Sequence, residues 1–103
     1  LTSLRLYSNE LSQVDVRNNT SLVDLNLNFN GLTSLDVSNN TSLNTLEVER
    51  NTLSTINVRE NPELTSLNVL RNNLVDLDVT QNTSLTTLLY DTGVNCTGSA
   101  CGL

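Results

Sequence analysis

A 21-residue repeat constrains this chain more than any other feature of its sequence. The frame starts at Leu1 and recurs at Leu22, Leu43, Leu64 and Leu85. The stretch 43–61 shows one copy, L-x-x-L-x-V-x-x-N-x-L-x-x-I-x-V-x-x-N, which contains two similar half-units. Self-similarity at a fixed period of this length is typical of a solenoid, because each unit buries its apolar face against its neighbours.

The half-units predict short β-strands. In Leu46-Glu47-Val48 and its equivalents, apolar and polar residues alternate, which is the two-residue period of a strand with one buried face. Two strands and two turns use nearly all of one repeat, so no crossover helix fits. We therefore predict a β-solenoid that coils in the right-handed sense, with a parallel β-sheet on its concave side. The convex side is expected to be short strand or extended chain, with little or no α-helix.

The repeat also sets the expected domain organisation. Four full coils and a partial fifth cover residues 1–95, and residues 96–103 form a C-terminal cap or tail. In the fifth coil Tyr90 takes an inward position and Gly93 stands where the frame has asparagine. Since Leu1 is already on the frame and no signal peptide precedes it, we expect the chain to be a piece of a longer protein.

Asparagine occupies two further frame positions in every full copy. The amide group both donates and accepts hydrogen bonds, so it suits the backbone groups that a turn leaves unpaired. Stacked from coil to coil, these side chains are expected to form two inward ladders. The first ladder comprises Asn9, Asn30, Asn51 and Asn72, and the second comprises Asn19, Asn40, Asn61 and Asn82.

Charge and composition exclude several function classes. The net charge is −6, with five arginines and no lysine or histidine. An acidic chain lacks the basic stripe that nucleic acids or anionic membranes require, and no apolar run of about 18 residues is present to insert into a bilayer. Without histidine there is no Ser-His or Cys-His pair to activate a nucleophile. We expect a non-enzymatic protein without a cofactor.

Two cysteines lie close together near the end of the chain. Cys96 and Cys101 are separated by four residues and can close a small disulfide loop in an oxidising compartment. The alternative is two reduced thiols in a frayed tail. A structural zinc site is not expected, because no other cysteine and no histidine completes four ligands.

The outward positions of the predicted sheet vary from coil to coil while the frame does not. This variation is available for recognition, and aromatic residues and arginine are enriched at binding hot spots. Arg50 and Arg71 are expected to stack on neighbouring coils, and Glu49 and Asp91 are the expected counter-charges. The candidate ligand-binding residues are Arg5, Tyr7, Asn26, Asn28, Phe29, Glu47, Glu49, Arg50, Leu70 and Arg71.

One position in the second half-unit carries mostly aspartate. It holds Asp15, Asp36, Asn57 and Asp78 in successive coils, and stacked carboxylates repel unless something neutralises them. A calcium ion between the loops is one possibility. Arg17 and Arg59, each two residues after this position, are the simpler counter-charges, so no metal site is predicted.

Two segments of the first half-unit carry a family resemblance. LTSLRLYSNEL (1–11) and LVDLNLNFNGL (22–32) resemble the consensus segment of leucine-rich repeats. LTSLDVSNNTSL (32–43) and LVDLDVTQNTSL (74–85) look like the bacterial subtype of the same repeat length, in which a shorter and a longer half-unit alternate, found in internalin-type and other surface or secreted proteins. That subtype often has cysteine at the third inward position, where this chain has leucine, valine or tyrosine.

The resemblance implies a function for the chain as a whole. It implies a binding or adhesive module, extracellular or on a bacterial cell surface, with a protein or glycan ligand. A structural spacer or stalk within a larger surface protein is the alternative. The sequence leaves the ligand and the oligomeric state open.

Overall fold

The structure, a computed structural model that describes residues 1–103, is a parallel β-solenoid of about five coils with almost no helix. This confirms the predicted fold class. A single 3-10 helix, Ser99–Gly102, follows the last strand. The strands are β1 (Ser3–Arg5), β2 (Asp24–Asn26), β3 (Thr45–Glu47), β4 (Ser66–Asn68), β5 (Asp76–Asp78), β6 (Thr87–Leu89) and β7 (Asn95–Thr97).

The repeat frame is the register of the main sheet. Five strands pair in parallel in the order β1-β2-β3-β4-β6, and Leu4, Leu25, Leu46, Leu67 and Leu88 lie opposite one another in successive strands. A smaller sheet pairs β5 with β7 in the second half-unit. Its partners, such as Leu77 and Cys96, are closer in sequence than those of the main sheet, because the last coil is shorter than the others.

The inward frame residues form one continuous core. Leu25, Leu46 and Leu67 are completely buried, and twenty buried residues belong to the same cluster. Completely burying a leucine side chain contributes about 1.5 to 3 kcal/mol, so coil-to-coil stacking of these residues is the main apolar term in the stability of the solenoid. The equivalent Leu4 and Leu6 of the first coil are only half-buried, because no earlier coil in this structure covers them.

The first asparagine row ties each coil to its neighbours. Asn51 Nδ2 donates to the Leu27 carbonyl of the preceding coil at 2.9 Å and to the Val48 carbonyl of its own coil at 3.1 Å. Its Oδ1 accepts from the backbone N–H of Leu32 at 3.0 Å. The asparagines one coil before and one coil after make equivalent contacts.

The side-chain amides of the second asparagine row, the second ladder of the sequence prediction, only donate hydrogen bonds. This differs from the expectation that each amide also accepts one. Asn61 Nδ2 donates to the carbonyls of Val37 at 3.0 Å and Asn40 at 2.8 Å. The side-chain oxygens of Asn40, Asn61 and Asn82 are buried without a donor. The reason is local, since turn N–H groups such as that of Leu64 already bond to backbone carbonyls and leave none for the amide oxygen.

The two asparagines of the first coil also depart from the ladder prediction. The ladder amides donate backwards to the preceding coil, and no such carbonyls lie before Asn9 and Asn19 in this structure. Asn9 is exposed, and its side-chain Nδ2 donates only to the Tyr7 carbonyl at 3.0 Å, while its backbone N–H donates to Asn30 Oδ1 at 3.0 Å. Asn19 is half-buried and makes no side-chain hydrogen bond.

At the other end, a small disulfide loop packs against the last coil. Cys96 and Cys101 are bonded, with their Cα atoms 5.9 Å apart. Between them Ala100 is buried against the core. The Tyr90 hydroxyl donates to the Cys101 carbonyl at 3.0 Å. A Cβ at Gly98 would lie 2.8 Å from the Val79 carbonyl carbon, so the loop approaches the preceding coil too closely for any larger residue.

Replacing Leu46 by alanine is expected to lower the free energy of unfolding by about 2 to 5 kcal/mol, because it leaves a cavity in the middle of the core. Denaturant titration measures the change. Val75→Ala is the matched control, since the Val75 side chain is 66% exposed. A Leu46→Ala variant as stable as the control would contradict the packing described here.

The two asparagine rows predict different costs of truncation. Asn51→Ala leaves the Leu32 N–H buried without an acceptor and is expected to cost about 1 to 3 kcal/mol. Asn61→Ala is expected to cost less, because the Val37 and Asn40 carbonyls keep their backbone donors. Chemical denaturation of both variants gives the order. Equal costs would show that the hydrogen bond accepted by Asn51 Oδ1 adds nothing to the free energy of unfolding.

Candidate functional site

The candidate site is the outer strand face, defined as the outward side chains of the five-stranded sheet and of the turn after each strand. In β2 and β3 the central leucine is completely buried while its neighbours are half-exposed. The ten candidate ligand-binding residues all fall on this face, since they occupy outward strand positions or the turn that follows. Their position does not test whether they bind a ligand.

The turn after each of the first four strands holds a residue in the left-handed region. The φ angles are 61° at Ser8, 60° at Phe29, 58° at Arg50 and 56° at Arg71. This conformation costs a residue with a Cβ roughly 1 to 2 kcal/mol, and glycine or asparagine adopts it more readily. Three successive coils, with Phe29, Arg50 and Arg71, therefore present a large side chain at a position where the backbone favours glycine or asparagine.

Phe29 and Arg50 form a stacked pair on adjacent coils. The Arg50 guanidinium carbon lies 5.4 Å from the centre of the Phe29 ring, within the range of a cation–π contact. Phe29 remains 46% exposed and Tyr7 remains 56% exposed. The outer strand face thus presents two accessible aromatic side chains, one of them held by an arginine.

A network of amides and carboxylates fills the middle of the face. Glu47 Oε2 accepts from Asn28 Nδ2 at 3.2 Å and from Asn68 Nδ2 at 2.9 Å. Asn68 Nδ2 also donates to Glu49 Oε1 at 2.9 Å. The Glu49 backbone N–H donates to Asn28 Oδ1 at 2.7 Å. These contacts fix four polar side chains across three coils.

Asn68 lies at the centre of this network, although it was not among the candidate residues. It is 6% exposed, because the side chains of the neighbouring coils cover it. Its signal in the sequence is its frame position, which it shares with Asn26 in β2 and Glu47 in β3. Both of those residues were candidates, so the same frame position could have selected Asn68.

Glu49 and Asp91, the expected counter-charges of Arg50 and Arg71, form no ion pair with them. Neither arginine has a carboxylate within ion-pair distance, and the only ion pairs are Arg5–Asp24 and Arg17–Asp15. The nearby carboxylates have other donors. Glu49 accepts from an amide of the central network, and Asp91 accepts from the backbone N–H of Arg71 at 2.9 Å.

The Asp91 carboxylate accepts the Arg71 N–H in the place that a backbone carbonyl takes in the earlier coils, where for example the Arg50 N–H donates to the Leu70 carbonyl at 3.0 Å.

Gly93 stands where the earlier coils have the frame asparagine, and a Cβ there would meet no atom within 4 Å. Beside this open position lies a groove of about 470 Å³ on the same face. Its apolar lining comprises Leu70, Leu88, Leu89, Tyr90, Val94 and Leu103.

The aspartate position of the second half-unit is used for turns. Asp15, Asp36, Asn57 and Asp78 each accept, through Oδ1, the backbone N–H two residues later at 2.9 to 3.0 Å. The chain has no group of three or more acidic, cysteine or histidine side chains placed to hold a metal ion. The stacked carboxylates therefore have a structural role in their own turns.

Arg17 lowers the pKa of Asp15. The guanidinium donates to both carboxylate oxygens, at 3.0 and 2.9 Å, and the Arg17 N–H adds a backbone hydrogen bond. The side-chain hydrogen bond is the largest cause, and together the contacts lower the Asp15 pKa from 3.8 to about 2. The Ser38 hydroxyl and N–H lower the pKa of Asp36 in the same direction.

Comparison with protein-family models and with curated proteins finds no match to this chain. The turns of about 21 residues and the near absence of helix are compatible with a leucine-rich-repeat-like solenoid. The structure also contains no helix with the length and apolar character needed to cross a membrane.

Carboxyl-detected NMR titration of the folded chain is expected to give Asp15 a pKa of about 2. Arg17→Ala is expected to raise it towards 3.8, since the main donor is lost. Because the folded pKa is the lower one, the stabilisation by Asp15 is present above pH 3.8 and is lost as the pH falls through about 2. A pKa that Arg17→Ala leaves unchanged would contradict the role of the guanidinium.

Proposed function

We propose that this chain is a non-enzymatic recognition module that binds a protein or glycan ligand through its outer strand face. The observation that carries the proposal is the row of strained turns. Phe29, Arg50 and Arg71 are exposed at left-handed positions, at a cost in backbone energy that a purely structural face avoids with glycine or asparagine. Strain retained in an exposed side chain is a reason to look for a function there.

The solenoid separates recognition from folding. The core is made by inward frame residues, and the outward side chains between them lie on the opposite side of the sheet. The outer strand face can therefore change without loss of the fold, which is the property expected of a recognition surface on a rigid scaffold. The network around Asn68 adds fixed polar groups to this surface.

The setting that we propose is extracellular or on a bacterial cell surface, in an internalin-like leucine-rich-repeat protein. The motif resemblance and the Cys96–Cys101 disulfide support it, since disulfides persist in oxidising compartments. The charge of −6 makes nucleic acids and anionic membranes unsuitable partners. The absence of histidine removes the usual base for nucleophilic catalysis.

A binding screen against glycans and extracellular proteins tests the proposal. For a ligand of the folded chain, a variant with Tyr7→Ala, Phe29→Ala and Arg50→Glu is expected to lose affinity by about 30-fold or more, because the loss of even one hot-spot aromatic or arginine side chain costs roughly 2 kcal/mol. Its denaturation midpoint is expected to stay near that of the wild type. Val75→Ala with Arg59→Glu is the matched control, since both residues are exposed outside this face.

Two outcomes would contradict the proposal. A ligand that binds the triple variant as well as the wild type would place the site elsewhere, at the aspartate position or the C-terminal loop. Failure to bind any glycan or extracellular protein would favour the structural spacer, which needs only its core.

A further inference from the structure

The network of Asn28, Glu47, Glu49 and Asn68, called the central network, contains acceptor oxygens that a ligand can use. One oxygen of Glu47 and one of Glu49 accept hydrogen bonds from amides, and the other oxygen of each carboxylate has no donor in the structure. Both side chains are half-buried, so their positions are constrained. A carboxylate oxygen held in this way accepts hydrogen bonds from hydroxyl groups.

The backbone of the middle coils is not available to a ligand. β2, β3 and β4 each pair with a strand on both sides, so their N–H and C=O groups are already bonded within the sheet. A peptide cannot add to the sheet as a further strand there, which is how extended peptides commonly bind β-proteins. Recognition at the network must go through side chains.

The charges of this region nearly cancel, and they disfavour an anionic ligand. Arg50 and Arg71 contribute two positive charges, and Glu47, Glu49 and Asp91 contribute three negative charges on the same or adjacent coils. Adjacent strands are about 4.8 Å apart. This is less than the screening length of about 8 Å at physiological salt, so opposite charges on neighbouring coils still attract one another. With a net charge of −6 for the whole chain, an anionic polymer is repelled.

An aromatic ring lies beside the polar network. Phe29 is on the turn that follows β2, next to Asn28, and is fixed by Arg50 on the adjacent coil. An exposed ring of this kind packs against the apolar C–H face of a sugar ring and contributes a large contact area with few internal degrees of freedom. Aromatic, amide and carboxylate groups thus lie together on three neighbouring coils.

We propose that the ligand of the outer strand face is a neutral oligosaccharide, bound along the solenoid axis across the second to fourth coils. This inference rests on the proposed recognition function and specifies its ligand. One sugar ring packs on Phe29. The hydroxyl groups of the next ring donate to the free oxygens of Glu47 and Glu49, which both lie on the third coil. The coil spacing of about 4.8 Å is close to the length of one pyranose unit in an extended chain, so successive coils contact successive sugars.

An array of neutral and uronic-acid oligosaccharides together with acidic peptides is the first experiment, followed by calorimetry with the tightest binder. A neutral oligosaccharide is expected to bind, and Glu47→Gln with Glu49→Gln is expected to weaken it by about tenfold, because a hydrogen bond to a charged group is worth roughly that factor in affinity. Glu60→Gln with Glu63→Gln makes the same charge change at exposed positions outside the face and is expected to have no effect.

The outcomes separate this inference from the function on which it rests. Binding of an acidic peptide or uronic-acid oligosaccharide alone, lost in Phe29→Ala, would overturn the neutral ligand while supporting recognition by the face. A neutral oligosaccharide that binds the Glu47 and Glu49 variant as tightly as the wild type would overturn the proposed contacts. Binding of none of these probes or of any protein would overturn both proposals.

Discussion

The hydrogen bond between the Asn51 side chain and the backbone of the preceding coil is the interaction on which the architecture depends. Leucine side chains favour burial, but they do not fix where one coil lies relative to the next. The amide supplies that fixed position, because it bonds at once to a carbonyl before it, a carbonyl in its own coil and the Leu32 N–H. The strand register, in which each residue pairs with its equivalent one repeat later, follows from the same spacing.

Because the inward leucines and asparagines stabilise the fold, the side chains of the outer strand face are not needed for it. Arg50 and Arg71 lack carboxylate partners while the glutamates of the network bond to amides, so the face combines accessible cations with fixed acceptors. The strained backbone at Phe29, Arg50 and Arg71 is tolerated because the stacked coils on either side hold it. Recognition is the function that we propose for this arrangement.

The sequence predicts the fold well because its information is periodic. Each leucine and asparagine recurs in the same environment, so the strand positions, the sheet register and the first asparagine row follow from the frame. Departures occur where the backbone groups that a side chain would bond are missing or are already bonded. No carbonyl of an earlier coil lies before Asn9 in this structure, and the turn N–H groups near Asn61 are already bonded to backbone carbonyls. The role of Asn68 and the partners of Glu49 and Asp91 depend on side-chain geometry across coils, which no spacing rule contains.

Native-state hydrogen exchange at the Leu32 and Leu53 amides tests the central claim most directly. Both N–H groups bond to asparagine side chains, Asn51 and Asn72, and to no backbone carbonyl. If these side chains hold the coils together, both amides exchange only when the whole solenoid unfolds, with a protection free energy equal to the global value. Exchange as fast as that of unbonded turn amides would show that apolar packing and the backbone hydrogen bonds of the sheet hold the coils without the asparagine side chains.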